Sequence, residues 1–170
     1  MPSDAVLYQA AALCLTYPDQ ALCARLPLLR EAAPQLRTFA DHAAVTPLAE
    51  LAAHYVAVFA SEDAGDRYGL YLSRWDEAGA RPDGTAAARF EEPYRVHGLE
   101  LAGQEPPDFL PAVLEFTART GDTELLVCHR PGLERLRSRL TGLGTPYGPG
   151  EKHVNTTGIV RVRRQPHVFG

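Results

Sequence analysis

The sequence predicts an all-α fold: a single-domain helical bundle of about six or seven helices, followed by an irregular C-terminal tail. Apolar residues recur at helical spacing along most of the chain. Capping residues, prolines and glycines divide this pattern into segments of helical length. The one short alternating stretch, residues 158–164, has no second strand with which to pair. With 170 residues, the chain is long enough to bury a core.

The first two helices are predicted from their capping residues and prolines. Ser3 can cap a helix that Pro18 ends, and Asp19 can cap the next one. Pro27 lies inside the apolar stripe of this second helix and predicts a kink or break just before it. Pro34 predicts a further break.

The third helix is predicted to begin at Thr46–Pro47, where a capping hydroxyl precedes a proline at the first helical position. Residues 61–84 are glycine-rich and predict a loose connection that contains one helical turn packed on the core. The apolar residues of that turn are Tyr68, Leu70, Tyr71, Leu72 and Trp75.

Four more positions set the predicted limits of the later helices. Asp83 is predicted to cap a helix that ends at Gly98, and Asp108 to cap one that ends at Gly121. Asp122 then begins another helix, which the sequence predicts to be interrupted by Pro131 and Gly132 before a last apolar seam. That seam consists of Leu133, Leu136, Leu140 and Leu143.

Charge divides the chain into a predicted helical domain, residues 1–145, and a Pro/Gly-rich basic tail, residues 146–170. The domain has 13 arginines and no lysine against 20 acidic residues, a net charge of −7, and the tail has a net charge of +3. An acidic body argues against a nucleic-acid partner. The tail either folds back on the acidic surface or forms a free terminus, and the sequence leaves both open.

The sequence has none of the common patterns of catalytic or metal-binding residues. The six histidines do not pair at helical metal-ligand spacing, and neither a G-x-S-x-G nor a G-x-x-x-x-G-K motif occurs. We therefore predict no enzymatic activity, no metal and no cofactor. Three cysteines without a C-x-x-C motif, and no apolar run of roughly 18 residues, predict a reduced, cytoplasmic protein that does not insert into the membrane.

Acidic and aromatic residues are concentrated between residues 91 and 124, where eight carboxylates accompany two arginines. Acidic side chains beside exposed aromatic rings suit a basic, amphipathic peptide. The spacing is explained equally well by buried rings and solvated acids. Glu105 and Asp108, on either side of two prolines, can likewise be read as an acid–base pair or as a loop residue and a helix cap.

The run EEPYRVHGLELAGQEPPDFLPAVLEF, residues 91–116, resembles the central motif of the NarJ family. These proteins are dedicated assembly chaperones of the molybdenum-containing respiratory nitrate reductase, within the wider TorD-like group. Residues 13–22 and 54–79 are also similar to segments of that family, and the resemblance covers residues 7–145. Pro106 stands where the family has leucine, the polar run expected near residue 80 is only partly present, and the helix that usually follows Pro146–Tyr147 is absent.

The resemblance implies a TorD-like all-helical fold and a chaperone rather than an enzyme. Its implied partner is the apo catalytic (alpha) subunit of respiratory nitrate reductase, bound through a basic amphipathic N-terminal peptide until the molybdenum cofactor is inserted and before membrane attachment. The alternatives are a generic helical adaptor and a chaperone for another molybdoenzyme of the superfamily. We predict a client-peptide-binding surface with apolar contacts from Tyr71, Leu72, Tyr94, Leu110 and Phe116, and with charge from Glu105, Asp108 and Glu115.

Overall fold

The structure, a computed structural model, describes residues 3–60, 69–75, 84–103 and 105–148, with side chains omitted for residues 84–87. Within these ranges the chain forms eight α-helices, and the pairing of extended backbone is limited to one isolated bridge. The helices are α1 (Asp4–Cys14), α2 (Gln20–Ala32), α3 (Arg37–Val45), α4 (Leu48–Tyr55), α5 (Gly84–Val96), α6 (Leu110–Thr120), α7 (Glu124–Cys128) and α8 (Arg130–Leu143).

The all-α prediction is confirmed, with more helices than the six or seven expected. A 3₁₀ turn at Pro34–Leu36 separates α2 from α3, and a single residue separates α7 from α8. The helix α4 continues into a π-helical turn, Val56–Ala60, which keeps Tyr55, Val58 and Phe59 facing the core. Short breaks of this kind leave the apolar pattern almost continuous, so they are hard to see in the sequence.

Two hydrophobic clusters make up the core, and α1 lies between them. Its residues Leu7 and Cys14 belong to a cluster formed with α2 and α3. Its residues Tyr8 and Ala11 belong to a larger cluster formed with α4, α5, α6 and α8. Because both sides of α1 are covered, this short helix is the central element of the bundle, and its longest packing contact is with α6.

Several of the predicted helix ends are confirmed. The Ser3 hydroxyl accepts a hydrogen bond from the Val6 amide at 3.4 Å, and the Asp19 carboxylate accepts one from the Leu22 amide at 2.8 Å. Gly121 ends α6 in the left-handed conformation, with φ of +75°, which costs glycine little because it lacks a Cβ. The predicted cap at Asp83 lies outside the described residues.

Three predicted helix limits differ in detail from the structure. The Thr46 hydroxyl donates to the carbonyl of His42 at 2.7 Å, at the end of α3, and does not cap α4. The break predicted at Pro27 does not occur, and α2 continues through this residue with its leucines buried against α3. The interruption predicted at Pro131 and Gly132 occurs two residues earlier, at His129. Pro131 lies in the first turn of α8, where its missing amide hydrogen would have no partner.

The segment 69–75 is held against the start of α6 by backbone hydrogen bonds. The Leu72 amide donates to the Asp108 carbonyl at 2.9 Å, and the Leu110 amide donates to the Leu70 carbonyl at 2.7 Å. These bonds surround the isolated antiparallel bridge between Tyr71 and Phe109. The predicted helical turn on the core is confirmed as a 3₁₀ turn, Leu72–Trp75, apart from Tyr68, which lies outside the described residues.

The chain after α8 packs back on the bundle as far as residue 148. The Tyr147 ring lies 4.9 Å from that of Phe59 and 5.1 Å from that of Phe39, measured between centroids, so it contacts both hydrophobic clusters. Next to it, the His54 ring forms a 2.7 Å hydrogen bond with the Thr145 hydroxyl. The division of the chain at residue 145 stays a prediction, and Tyr147 packs with the helical body.

Candidate functional site

An open groove of about 360 Å³ lies between α1, α6 and the connection that follows α5. A volume of this size admits a few side chains of a binding partner. Its walls are formed by Gln9, Ala12 and Leu13 of α1 and Thr16 just after it; by Pro111, Ala112, Glu115, Phe116 and Arg119 of α6; and by Tyr94, Leu99, Glu100, Leu101, Ala102 and Glu105.

The edge of the groove is acidic. Glu100, Glu105 and Glu115 are all exposed, and Arg119 is the one cationic residue among the described residues that line the groove. The Arg119 guanidinium lies 3.7 Å from the Glu115 carboxylate, one helical turn away. An exposed pair of this kind contributes little to stability, so a cationic partner can displace the arginine at small cost.

The bottom of the groove is aromatic. The rings of Tyr94 and Phe116 lie with their centroids 4.7 Å apart, and these residues are only 6% and 2% exposed. The Tyr94 hydroxyl is buried and lacks a hydrogen-bond partner among the described residues. Burial raises the pKa of this phenol to about 12, with smaller contributions from the carboxylates of Glu115 and Asp108. The hydroxyl therefore stays protonated at neutral pH.

A tight turn after α5 carries the chain over the groove. Gly98 adopts a φ of +67°, which favours glycine, and the Leu99 amide donates to the carbonyl of Tyr94 at 2.9 Å. The neighbouring His97 ring lies 3.1 Å from the carboxylate of Asp122, at the end of α6. The His97–Asp122 contact joins the end of α5 to the residues that follow α6, and the predicted helix stop at Gly98 is part of this turn.

Four of the eight predicted binding residues are brought together in the groove: Tyr94, Glu105, Glu115 and Phe116. Leu72 and Leu110, 1% and 5% exposed, lie in the core and do not line the groove, whereas the equally buried Tyr94 and Phe116 do. The backbones of Leu72 and Leu110 are fixed by the hydrogen bonds between the segment 69–75 and the start of α6, which turns both side chains inward.

The remaining two predicted residues, Tyr71 and Asp108, lie beside the groove. Phe109 stands at the N-cap of α6 and no side chain caps this helix, so the predicted Asp108 cap is wrong. The Asp108 carboxylate accepts hydrogen bonds from the hydroxyl and the amide of Ser73. Tyr71 is half-buried, with its ring 5.3 Å from that of Phe109. Asp108 therefore bonds to Ser73, which is distant in sequence, and not to the first turn of α6 as the sequence indicated.

The wall formed by α1 was not predicted. Gln9 and Leu13 lie about one turn apart on one side of this helix, and Thr16 follows its C-terminal end. The signal that could have found them is the nearly continuous apolar stretch around residues 10–15, since a helix that is hydrophobic all round packs on several sides.

The described residues contain no group of three or more His, Cys, Asp or Glu side chains placed to hold a metal ion. None of the helices in the described ranges is long and apolar enough to cross a membrane.

Fold and site together define an all-helical protein with an acidic surface groove. The chain belongs to the nitrate reductase delta subunit family, whose model matches residues 25–150. This match confirms the resemblance of the central motif to the NarJ proteins.

Individual relatives agree with this assignment. The chain is 32% identical over 142 residues to NarW of Escherichia coli, covering 79% of this chain and 60% of NarW. It is 29% identical over 123 residues to NarJ of Bacillus subtilis, covering 66% and 65%. Both are described as nitrate reductase molybdenum cofactor assembly chaperones.

A longer relative matches through only part of its length. The nitrate reductase-like protein NarX of Mycobacterium tuberculosis is 35% identical over 163 residues, which is 90% of this chain and 24% of NarX. The chain thus spans about a quarter of NarX. Among solved structures, a redox enzyme maturation protein from Archaeoglobus fulgidus shares the fold, with a TM-score of 0.61 and 20% identity over 83% of this chain and 94% of that one.

Proposed function

We propose that this chain is an assembly chaperone for a molybdenum-containing nitrate reductase, and that it binds the N-terminal segment of the apo catalytic subunit in the groove between α1 and α6. The observation that carries the proposal is the composition of the groove, with exposed carboxylates around an aromatic bottom. A basic, amphipathic segment would place its cations against the carboxylates and its apolar side chains against the rings. The descriptions of NarW and NarJ support this choice of client.

The groove would act by binding alone. In the cytoplasm, an occupied client segment is withheld from the membrane while the molybdenum cofactor enters the catalytic subunit. When the catalytic subunit matures and its N-terminal segment packs elsewhere, the concentration of free segment falls. The chaperone is then released by mass action. The exposed carboxylates would speed the encounter and make binding sensitive to salt.

A calorimetric titration with a synthetic peptide of the client's N-terminal segment tests this function. We expect one peptide to bind per chain. Glu105→Lys and Glu115→Lys should each weaken binding about tenfold at low ionic strength, because each replaces an attraction at the groove by a repulsion. High salt should reduce that difference.

The matched control is Glu134→Lys in α8. Glu134 is an exposed glutamate that pairs with Arg130 at 2.9 Å, at the same one-turn spacing as Glu115 and Arg119, and it does not line the groove. The Glu134→Lys variant should therefore bind the peptide as tightly as the unmodified chain. Equal affinity in all three variants, or no binding by the unmodified chain, would refute the proposal. A parallel titration with the N-terminal peptide of a different molybdoenzyme separates a dedicated chaperone from a general adaptor.

A further inference from the structure

Four buried side-chain polar atoms among the described residues have no hydrogen-bond partner: Gln35 Oε1, Tyr94 OH, Thr117 Oγ1 and Tyr147 OH. Of these residues, only Tyr94 lines the groove. A buried hydroxyl without a partner costs stability, and a phenylalanine of the same shape would avoid that cost. Tyr94 is therefore the groove residue with unused hydrogen-bonding capacity, and a partner reaches its hydroxyl only by displacing the groups that cover it.

The position of this hydroxyl is fixed by its surroundings. The Tyr94 ring packs against Phe116, and its backbone carbonyl accepts the Leu99 amide of the turn that follows α5. The carboxylates of Glu115 and Asp108 are the charged groups that act on the phenol. Their negative potential attracts the phenolic hydrogen, which leaves the oxygen lone pairs available to an incoming donor.

We propose that the Tyr94 hydroxyl determines specificity in the groove by accepting a hydrogen bond from a cationic side chain of the bound segment. The Glu115 carboxylate balances the charge of that cation, and the ring of Phe116 contacts its aliphatic stem. This inference rests on the proposed function. The exposed carboxylates alone would attract the segment by charge, and the Tyr94 hydroxyl adds a contact with a defined direction.

Tyr94→Phe tests the inference through two shifts of opposite sign. The affinity for the client peptide should fall about five- to tenfold, because the peptide's donor loses its acceptor. The melting temperature of the free protein should rise by a few degrees, because an unpaired buried hydroxyl is removed. A purely structural role for the hydroxyl would lower both stability and binding.

Two other tyrosines provide matched controls. Tyr147→Phe also removes a buried, unpaired hydroxyl but lies outside the groove, so it should raise stability and leave binding unchanged. Tyr55→Phe removes a hydroxyl that donates to the Leu15 carbonyl at 3.0 Å, so it should lower stability and leave binding unchanged.

A double-mutant cycle identifies the donor. Each cationic residue of the peptide is replaced in turn by norleucine, and binding is measured to the unmodified chain and to Tyr94→Phe. At one peptide position, the loss of binding free energy from norleucine and the loss from Tyr94→Phe should be less than additive. Additive losses at every position would overturn the assignment of a cation.

The inference and the proposed function fail in different ways. Unchanged peptide affinity in Tyr94→Phe, or a lower melting temperature of that variant without peptide, overturns the inference and leaves the proposed function standing. No binding of the peptide by the unmodified chain overturns both.

Discussion

Ser73 and Asp108, 35 residues apart in the chain, are joined by a hydrogen bond from the serine hydroxyl to the aspartate carboxylate. Asp108 immediately precedes Phe109, the N-cap of α6. Because α6 forms one wall of the groove, this bond helps to set where that wall begins.

A double-mutant cycle at these two residues should show strong coupling. Ser73→Ala and Asp108→Ala are each expected to lower the free energy of unfolding by about 1–2 kcal/mol, since a hydrogen bond to a charged acceptor is lost. The double variant should cost about as much as either single change, because both remove the same bond. Urea unfolding measures all three. Additive losses would show that the two side chains contribute separately.

Gly132, in the first turn of α8, is expected to tolerate no side chain. An ideal Cβ at this position would lie 2.5 Å from the Cβ of Trp75, so Gly132→Ala should destabilise the protein by about 2 kcal/mol. Gly142→Ala, in the last turn of the same helix, meets nothing within 4 Å and should raise stability by about 0.5–1 kcal/mol. Thermal unfolding of the two variants should therefore shift in opposite directions.

Removing the Tyr147 ring should weaken the contact between the two hydrophobic clusters. Tyr147→Ala is expected to cost about 2–3 kcal/mol, less than for a fully buried aromatic residue because this one is half-buried. Leu143→Ala, at a position that is 47% exposed, serves as the control and should cost well under 1 kcal/mol. Equal losses in the two variants would show that the chain after α8 contributes little to the fold.

Stability is expected to decline at alkaline pH. Burial is the largest cause that raises the pKa of Tyr55 and of Tyr94 from 10.0 to about 12. Between these values the folded chain binds more protons than the unfolded one. The contribution of these phenols is therefore complete below pH 10 and is lost as the pH rises through about 12.

Urea unfolding from neutral to alkaline pH, followed together with tyrosinate absorbance, tests this dependence. Tyr94→Phe should reduce the slope of stability against pH in that window, because one of the titrating groups is gone. A slope that is the same with and without Tyr94 would contradict the expectation.

Local chemistry accounts for the parts of the fold that the sequence predicted. The caps at Ser3 and Asp19 and the helix stop at Gly121 depend only on residues within a turn of each other. The predicted caps at Thr46 and Asp108 are wrong because these side chains bond to groups other than the helix start next to them. Each side chain has a second hydrogen-bonding option, the His42 carbonyl or Ser73, and the sequence does not show which one is nearer.

One side of the groove could be predicted because its residues are close in sequence, and the other side could not. Tyr94, Glu105, Glu115 and Phe116 lie in one stretch of the sequence, where acid and aromatic residues alternate visibly. The opposite wall comes from α1, about 80 residues earlier than Tyr94. Only the packing of α1 along α6 brings the two together, and no local pattern encodes that pairing.

The docking of the segment 69–75 also has a kinetic consequence. Its hydrogen bonds to residues 108 and 110 close a long loop, whereas each helix forms from neighbours in sequence. The helices should therefore begin to form before this segment docks on the start of α6 during folding. In native-state hydrogen exchange, the amides of Leu72 and Leu110 should open in a partial unfolding step that leaves the α1 backbone protected. The start of the groove wall formed by α6 would thus take its position only once the segment 69–75 has docked.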